Sequence, residues 1–154
     1  LAIEIDFGDR RIAYDASADQ SASSIKPRRP ELPSKPTADD EMVSVPLISL
    51  AWGRSGDKGN KANIGIIARQ AEYLPWIWAV LNEDAVAARF SHFLEGTVER
   101  FYMPGPHAIN FFLHDVLGGG GAASLRNDAL GKGFAQILLD HPIPVPKRIA
   151  EGLS

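Results

Sequence analysis

Two glycine-rich segments carry the residues of this chain best suited to chemistry. One is Gly53-Arg54-Ser55-Gly56-Asp57-Lys58-Gly59-Asn60, and the other is Leu117-Gly118-Gly119-Gly120-Gly121-Ala122-Ala123-Ser124-Leu125-Arg126. Glycine admits backbone conformations closed to other residues, so amides in such segments are free to converge on a ligand. Arg54, Lys58 and Arg126 supply positive charge, and Ser55 and Ser124 supply hydroxyls. The chemistry this predicts is the holding of a phosphate or carboxylate by Arg54, Ser55, Gly56, Lys58, Gly59, Gly119, Gly120, Ser124 and Arg126. The pattern is not the phosphate-binding Gly-x-x-x-x-Gly-Lys-Ser/Thr loop, because Lys58 precedes Gly59. Two plainer readings stand beside it: glycines that only shape tight connections and allow close packing, and a partner-binding surface.

The remaining reactive groups are sparse. His92, His107, His114 and His141 fall at no metal-ligand spacing, and there is no cysteine to complete a zinc set. Neither a metal nor a cofactor is expected. His114 and Asp115 are conceivable as a base and its orienter, but neighbours on a strand face opposite ways, and a half-buried, hydrogen-bonded histidine is the plainer reading. Asp57 beside Lys58 reads as a solvated pair or as a ligand contact. Ser55 and Ser124 have no visible base partner, so a nucleophilic role is not expected. Trp52, Trp76 and Trp78 are spaced for burial at the core and its rim rather than for base stacking. Asn110 sits in an apolar run, where a buried amide must find partners; it is expected to pin the neighbouring loop.

Composition narrows the setting. A chain of 154 residues with 45% hydrophobic content suffices for one domain with a core. Its apolar runs are strand-sized, well short of the roughly 18–20 residues a bilayer span needs. The absence of cysteine excludes disulfides and fits a reducing compartment. The formal net charge is -3; residues 1–41 hold nine acids against six bases, and the rest is balanced. A nucleic-acid binder shows a basic surplus or stripe, and this chain shows neither.

Turn chemistry and hydrophobic periodicity position the glycine segments. Residues 1–15 read as a β-hairpin turning at Gly8-Asp9, expected to be the tail of a preceding domain. Residues 16–41, with prolines at 27, 30, 33 and 36, read as an extended linker, a spacer or a docking peptide. The globular domain is expected over 42–146, with 147–154 as a C-terminal tail. Strands are predicted at Val45 to Trp52, Ala62 to Arg69, Thr97 to Met103 and Ala108 to Leu117, with a short edge strand at Ile143 and Val145. A helix over 63–71 is the alternative for the second of these. Leu74 to Phe93 reads as two helices, with Pro75 at the first helical position and Asn82 capping the second. Asp128 caps a helix over Ala129 to Asp140. The order ββαββαβ predicts a ferredoxin-like α+β fold, an antiparallel sheet with helices on one face. Following strand directions, both glycine segments arrive at one end of the sheet.

The same residues carry a family resemblance. Ala51 to Asn60 and Ala62 to Arg69 resemble the C-terminal domain of the acyclic terpene utilisation (AtuA-like) proteins. So do Pro104-Gly105-Pro106-His107-Ala108-Ile109-Asn110-Phe111-Phe112-Leu113-His114, Leu117 to Gly121, Ser124-Leu125-Arg126 and Gly131-Lys132. The resemblance covers roughly residues 46–146. It implies a ferredoxin-like fold, a bacterial cytoplasmic setting and a link to breakdown of acyclic terpenes or related branched acyl-CoA compounds. It also implies a large α/β domain or subunit as partner, and it carries no catalytic residue over.

Two functions are therefore weighed. The first is an accessory domain that packs on the large domain or subunit and aids assembly; a homo-oligomer is also open. The second is a binding or catalytic domain whose glycine segments hold the phosphate or carboxylate of an acyl-CoA-type substrate. The first is favoured.

Overall fold

Pro46 sets the first feature of the domain. The computed structural model describes residues 3–14, 28–37 and 40–153. Strand β3, Met42–Pro46, stops at that proline, and Leu47–Leu50 follows as one helical turn, α1. Leu47 and Leu50 lie three apart, so one turn buries both. The chain then enters strand β4, Ala51–Lys58. This corrects two expectations. The single strand from Val45 to Trp52 is two strands split by a turn. The segment from Gly53 is no loop: it is a strand until Lys58, and only Gly59 and Asn60 turn.

Close packing explains the glycine at 53, inside a strand. A Cβ on Gly53 would lie 3.1 Å from Leu139, a side chain of the helix that covers β4. That helix, α4, is Phe134–Leu139, and Leu138 and Leu139 are both buried. Its start departs from the expected Ala129. Gly131 has φ +59, a left-handed conformation that breaks a helix. Asp128 is therefore not the cap, which is Gly133; its carboxylate accepts from the amides of Lys132 and Gly133 at 2.8 Å and holds the turn that leads into the helix.

Strand β5, Lys61–Ala68, is the predicted strand, and the helical alternative falls. Its β-branched residues alternate, with Ile64 and Ile66 fully buried. Helices α2, Leu74–Val80, and α3, Glu83–Arg89, follow, the second ending short of the expected Phe93, and the Asn82 side chain accepts from the Ala85 amide at 2.8 Å as its cap. Strand β6 is Val98–Met103 and β7 is Ala108–Leu113. The latter stops short of the expected Leu117, and Asp115 has φ +47 just beyond it. Strand β8, Pro142–Pro146, is the short edge strand. The tail expected at 147–154 forms helix α5, Lys147–Glu151, and buries Ile149.

The fold is an antiparallel α+β arrangement. One sheet has four strands in the order β4-β5-β7-β6, and β3 pairs with β8 in a separate two-stranded ribbon. One core joins α1–α5 to the inner face of the four-stranded sheet and to the ribbon. The hairpin precedes this body as strands β1, Ile3–Asp6, and β2, Arg11–Tyr14, with residues 4–13 exposed. The expected linker is described only at 28–37 and 40–41; its first part, 16–27, and residues 38–39 lie outside the described residues. Residues 28–37 contain no helix or strand.

Candidate functional site

Strand direction does bring the glycine segments together. Antiparallel pairing of β5 with β7 sets Ala62 opposite Leu113, so the Gly59-Asn60 turn meets the chain leaving β7. Asn60 stitches the two. Its carbonyl accepts from Val116 N at 3.0 Å, and its side-chain oxygen accepts from Gly119 N at 2.7 Å. Its amide nitrogen donates to Asp115 Oδ1 at 3.1 Å. Gly120 packs directly on the turn: a Cβ there would stand 2.2 Å from the Gly59 carbonyl oxygen. The segments thus close on each other through backbone and through Asn60, a residue the sequence reading passed over. Its only signal was its place after Gly59 in a two-residue turn.

Arg126 is turned away from Arg54 and Lys58. Its guanidinium donates to the carbonyls of Val116 and Phe93 and lies over the Phe93 ring, 5.4 Å from its centre. It secures the loop rather than facing an opening. Ser124 accepts from the Arg126 amide within that loop.

Ser55 points at the helices. Its hydroxyl donates to the Lys132 carbonyl at 3.0 Å and accepts from the Ala135 amide at 2.9 Å. One buried side chain thereby ties β4 to the first turn of α4. Ser55→Ala leaves a buried N–H without a partner and is expected to cost about 1–3 kcal/mol in a urea melt. A loss under roughly 0.5 kcal/mol would mean that water replaces the hydroxyl at no cost.

The other face of the sheet is open. Cross-strand register aligns four rows on it. Trp52, Ile67, Ala108 and Met103 form one; Trp52 is 54%, Ile67 44% and Met103 45% exposed. Arg54, Gly65, Asn110 and Phe101 form the next, then Gly56, Asn63, Phe112 and Glu99, then Lys58 and Lys61 at the rim. Arg54, Gly56 and Lys58 meet here with Asn63, Gly65 and Lys132 around a recess of about 310 Å³. The sequence reading missed the last three. Asn63 and Gly65 were readable, since they alternate with buried Ile64 and Ile66; Lys132 arrives only through the tertiary fold.

Asn110 does not pin a loop as expected. Its side-chain oxygen accepts from Asn63 Nδ2 at 3.2 Å, joining β5 to β7 on the open face. His114 and Asp115 part company. His114 Nε2 pairs with Glu99 at 2.6 Å, while Asp115 faces Asn60. His141 is held more neutral than a free imidazole, first by burial and then by the charge of Arg89. Among the described residues no group of three His, Cys, Asp or Glu side chains is placed to share a metal ion, and no helix is long and apolar enough to cross a membrane.

Comparison with known families gives a match over residues 45–144 to the one described as AtuA ferredoxin-like domain. No curated protein and no solved structure matches the chain.

Proposed function

The chain belongs to the AtuA ferredoxin-like domain family, and from that we propose that it is an accessory domain docking on the large α/β domain or subunit of an AtuA-like protein. The setting proposed with it is bacterial and cytoplasmic, in the breakdown of acyclic terpenes or related branched acyl-CoA compounds. One observation carries the docking: the apolar row of Trp52, Ile67 and Met103 on the uncovered face of the four-stranded sheet. Phe101, 48% exposed, extends it in the next row. Such a contiguous apolar surface on a folded domain marks a place for a partner. Trp52, at the β4 end of the row, is the side-chain type that dominates interface energetics.

The test mixes the full chain with the separately produced large α/β domain and measures binding by calorimetry. Trp52→Glu, made on a half-exposed side chain, is expected to weaken the complex at least 30-fold, the scale of an interface hot spot of about 2 kcal/mol or more. Its melting temperature is expected to stay close to that of the unaltered chain. Unchanged affinity in Trp52→Glu would move the contact elsewhere, and no complex with the unaltered chain would end the accessory reading.

A further inference from the structure

The two glycines of the open face have no structural requirement that the fold explains. Neither Gly56 nor Gly65 has a positive φ. A Cβ on Gly65 would find only the Arg54 carbonyl oxygen, at an ordinary 3.8 Å. A Cβ on Gly56 would meet only the Lys132 ammonium at 2.9 Å, the far end of a flexible side chain. Glycine in a strand interior weakens the strand, and where neither φ nor packing requires it, close approach of another molecule is the remaining physical use. The glycines lie in adjacent rows on neighbouring strands, and together they leave a shallow floor without side chains, the part at Gly56 buried beneath the Lys132 ammonium.

The rim of that floor is cationic. Arg54 enters no ion pair among the described residues. Among the described residues Lys58 donates only to the carbonyl of Asp57, at 3.0 Å. Lys132 comes from the loop before α4 to lie beside Gly56 and is 3.8 Å from Asp57 Oδ1. Asp57 thus offsets one of three positive charges and leaves two. Asn63 has its amide nitrogen on Asn110 and lines the recess. The recess, about 310 Å³, is at the small end of ligand sites.

We propose that Arg54, Lys58 and Lys132, standing around the bare floor of Gly56 and Gly65, form a binding site for a phosphoryl dianion, free or at the end of a small organic phosphate. Two uncompensated charges match a dianion better than a monocarboxylate. Arg54 supplies the planar fork that takes two phosphate oxygens at once, and the lysines act as point charges. The glycine floor lets the oxyanion approach the sheet without a Cβ in the way. This places the site on β4 and β5 and beside the apolar row, with none of its lining residues from the Gly118–Gly121 loop.

The experiment is an amide chemical-shift titration of the full chain with inorganic phosphate, pyrophosphate and acetate at constant ionic strength. Phosphate or pyrophosphate is expected to give saturable shifts confined to residues 54–58, 61–65 and 132, with acetate at least tenfold weaker. Phosphate as tight as pyrophosphate assigns a single phosphoryl group, and pyrophosphate alone assigns a diphosphate. Gly65→Val fills the floor without touching any charge, so affinity is expected to fall at least tenfold while the melting temperature holds or rises. Arg54→Ala, on an exposed side chain, serves if the valine variant does not fold, and is expected to lose tenfold as well. Non-saturating shifts, shifts equal for acetate, or full affinity in Gly65→Val and Arg54→Ala would each overturn the site. The titration uses the chain alone, so its result is independent of any docked domain.

Discussion

Gly120→Ala is expected to lower the stability of the domain by roughly 2–5 kcal/mol, a large share of a typical folded-state margin of about 5–15 kcal/mol. Two causes add. The φ of Gly120 is +74, and a side chain there costs about 1–2 kcal/mol from its own sterics. The new methyl would also stand 2.2 Å from the Gly59 carbonyl oxygen and 2.8 Å from the Asn60 nitrogen. Both are backbone atoms of a turn already held by Asn60, so relief requires the two segments to separate. That separation breaks the bonds from Asn60 to Gly119 and to Asp115. Gly121→Ala is the control. Gly121 also has positive φ, but a Cβ there meets nothing within 4 Å, so only the backbone term of about 1–2 kcal/mol remains. Urea melts of the two variants decide the matter. Equal losses in both would show that the 59–60 turn yields freely and that the closure of the two segments holds nothing.

Arg100→Ala is the second large effect, expected at about 2–4 kcal/mol. Arg100 lies on the inner face of β6 and is 14% exposed. Its Nη1 donates to the carbonyls of Trp78 and Leu81 at 2.7 and 2.8 Å. These are carbonyls at the end of α2, where a cation suits both the unpaired acceptors and the helix dipole. The guanidinium also lies 3.7 Å from the centre of the Trp78 ring. Burial works against the charge, and Glu83, 3.5 Å from Nε, partly restores it. Arg100→Met keeps much of the stem packing but removes the donors, so it separates the two contributions and is expected to cost about 1.5–3 kcal/mol. A methionine variant as stable as the unaltered chain would show that the two carbonyls are met by water.

Local chemistry wrote much of this fold legibly. The alternation of Ile64 and Ile66 with small and polar neighbours marks β5, and Pro75 and Asn82 mark the helices on either side of Leu81. What the sequence hides is tertiary. Gly53 looks like a loop residue, because a helix passing close above β4 leaves no local trace. Leu47 and Leu50 look like strand residues until both must point into one core. Gly131 breaks the run from Ala129 because its conformation, not its propensity, delays α4 to Phe134. The meeting of the glycine segments followed from strand direction alone. The aim of Arg126 did not, since an arginine beside a glycine loop can turn to a ligand or to the loop's own carbonyls. The cationic recess is half visible: Arg54, Gly56 and Lys58 share one face by their spacing once the segment is a strand, while Lys132 arrives only through the tertiary fold.

The ribbon of β3 and β8 joins the first strand of the domain to the last. Met42 pairs with Pro146 and Pro46 with Pro142, and beyond the ribbon the Lys147 amide donates to the Glu41 carbonyl at 2.8 Å. The chain therefore enters and leaves the domain at neighbouring points. A module so built can be spliced into a surface loop of another protein without stretching its host, as readily as it can follow a neighbour end to end. The ribbon is thus a clasp that makes the unit portable, and its pairs, about a hundred positions apart, are among the last contacts the folding chain can close.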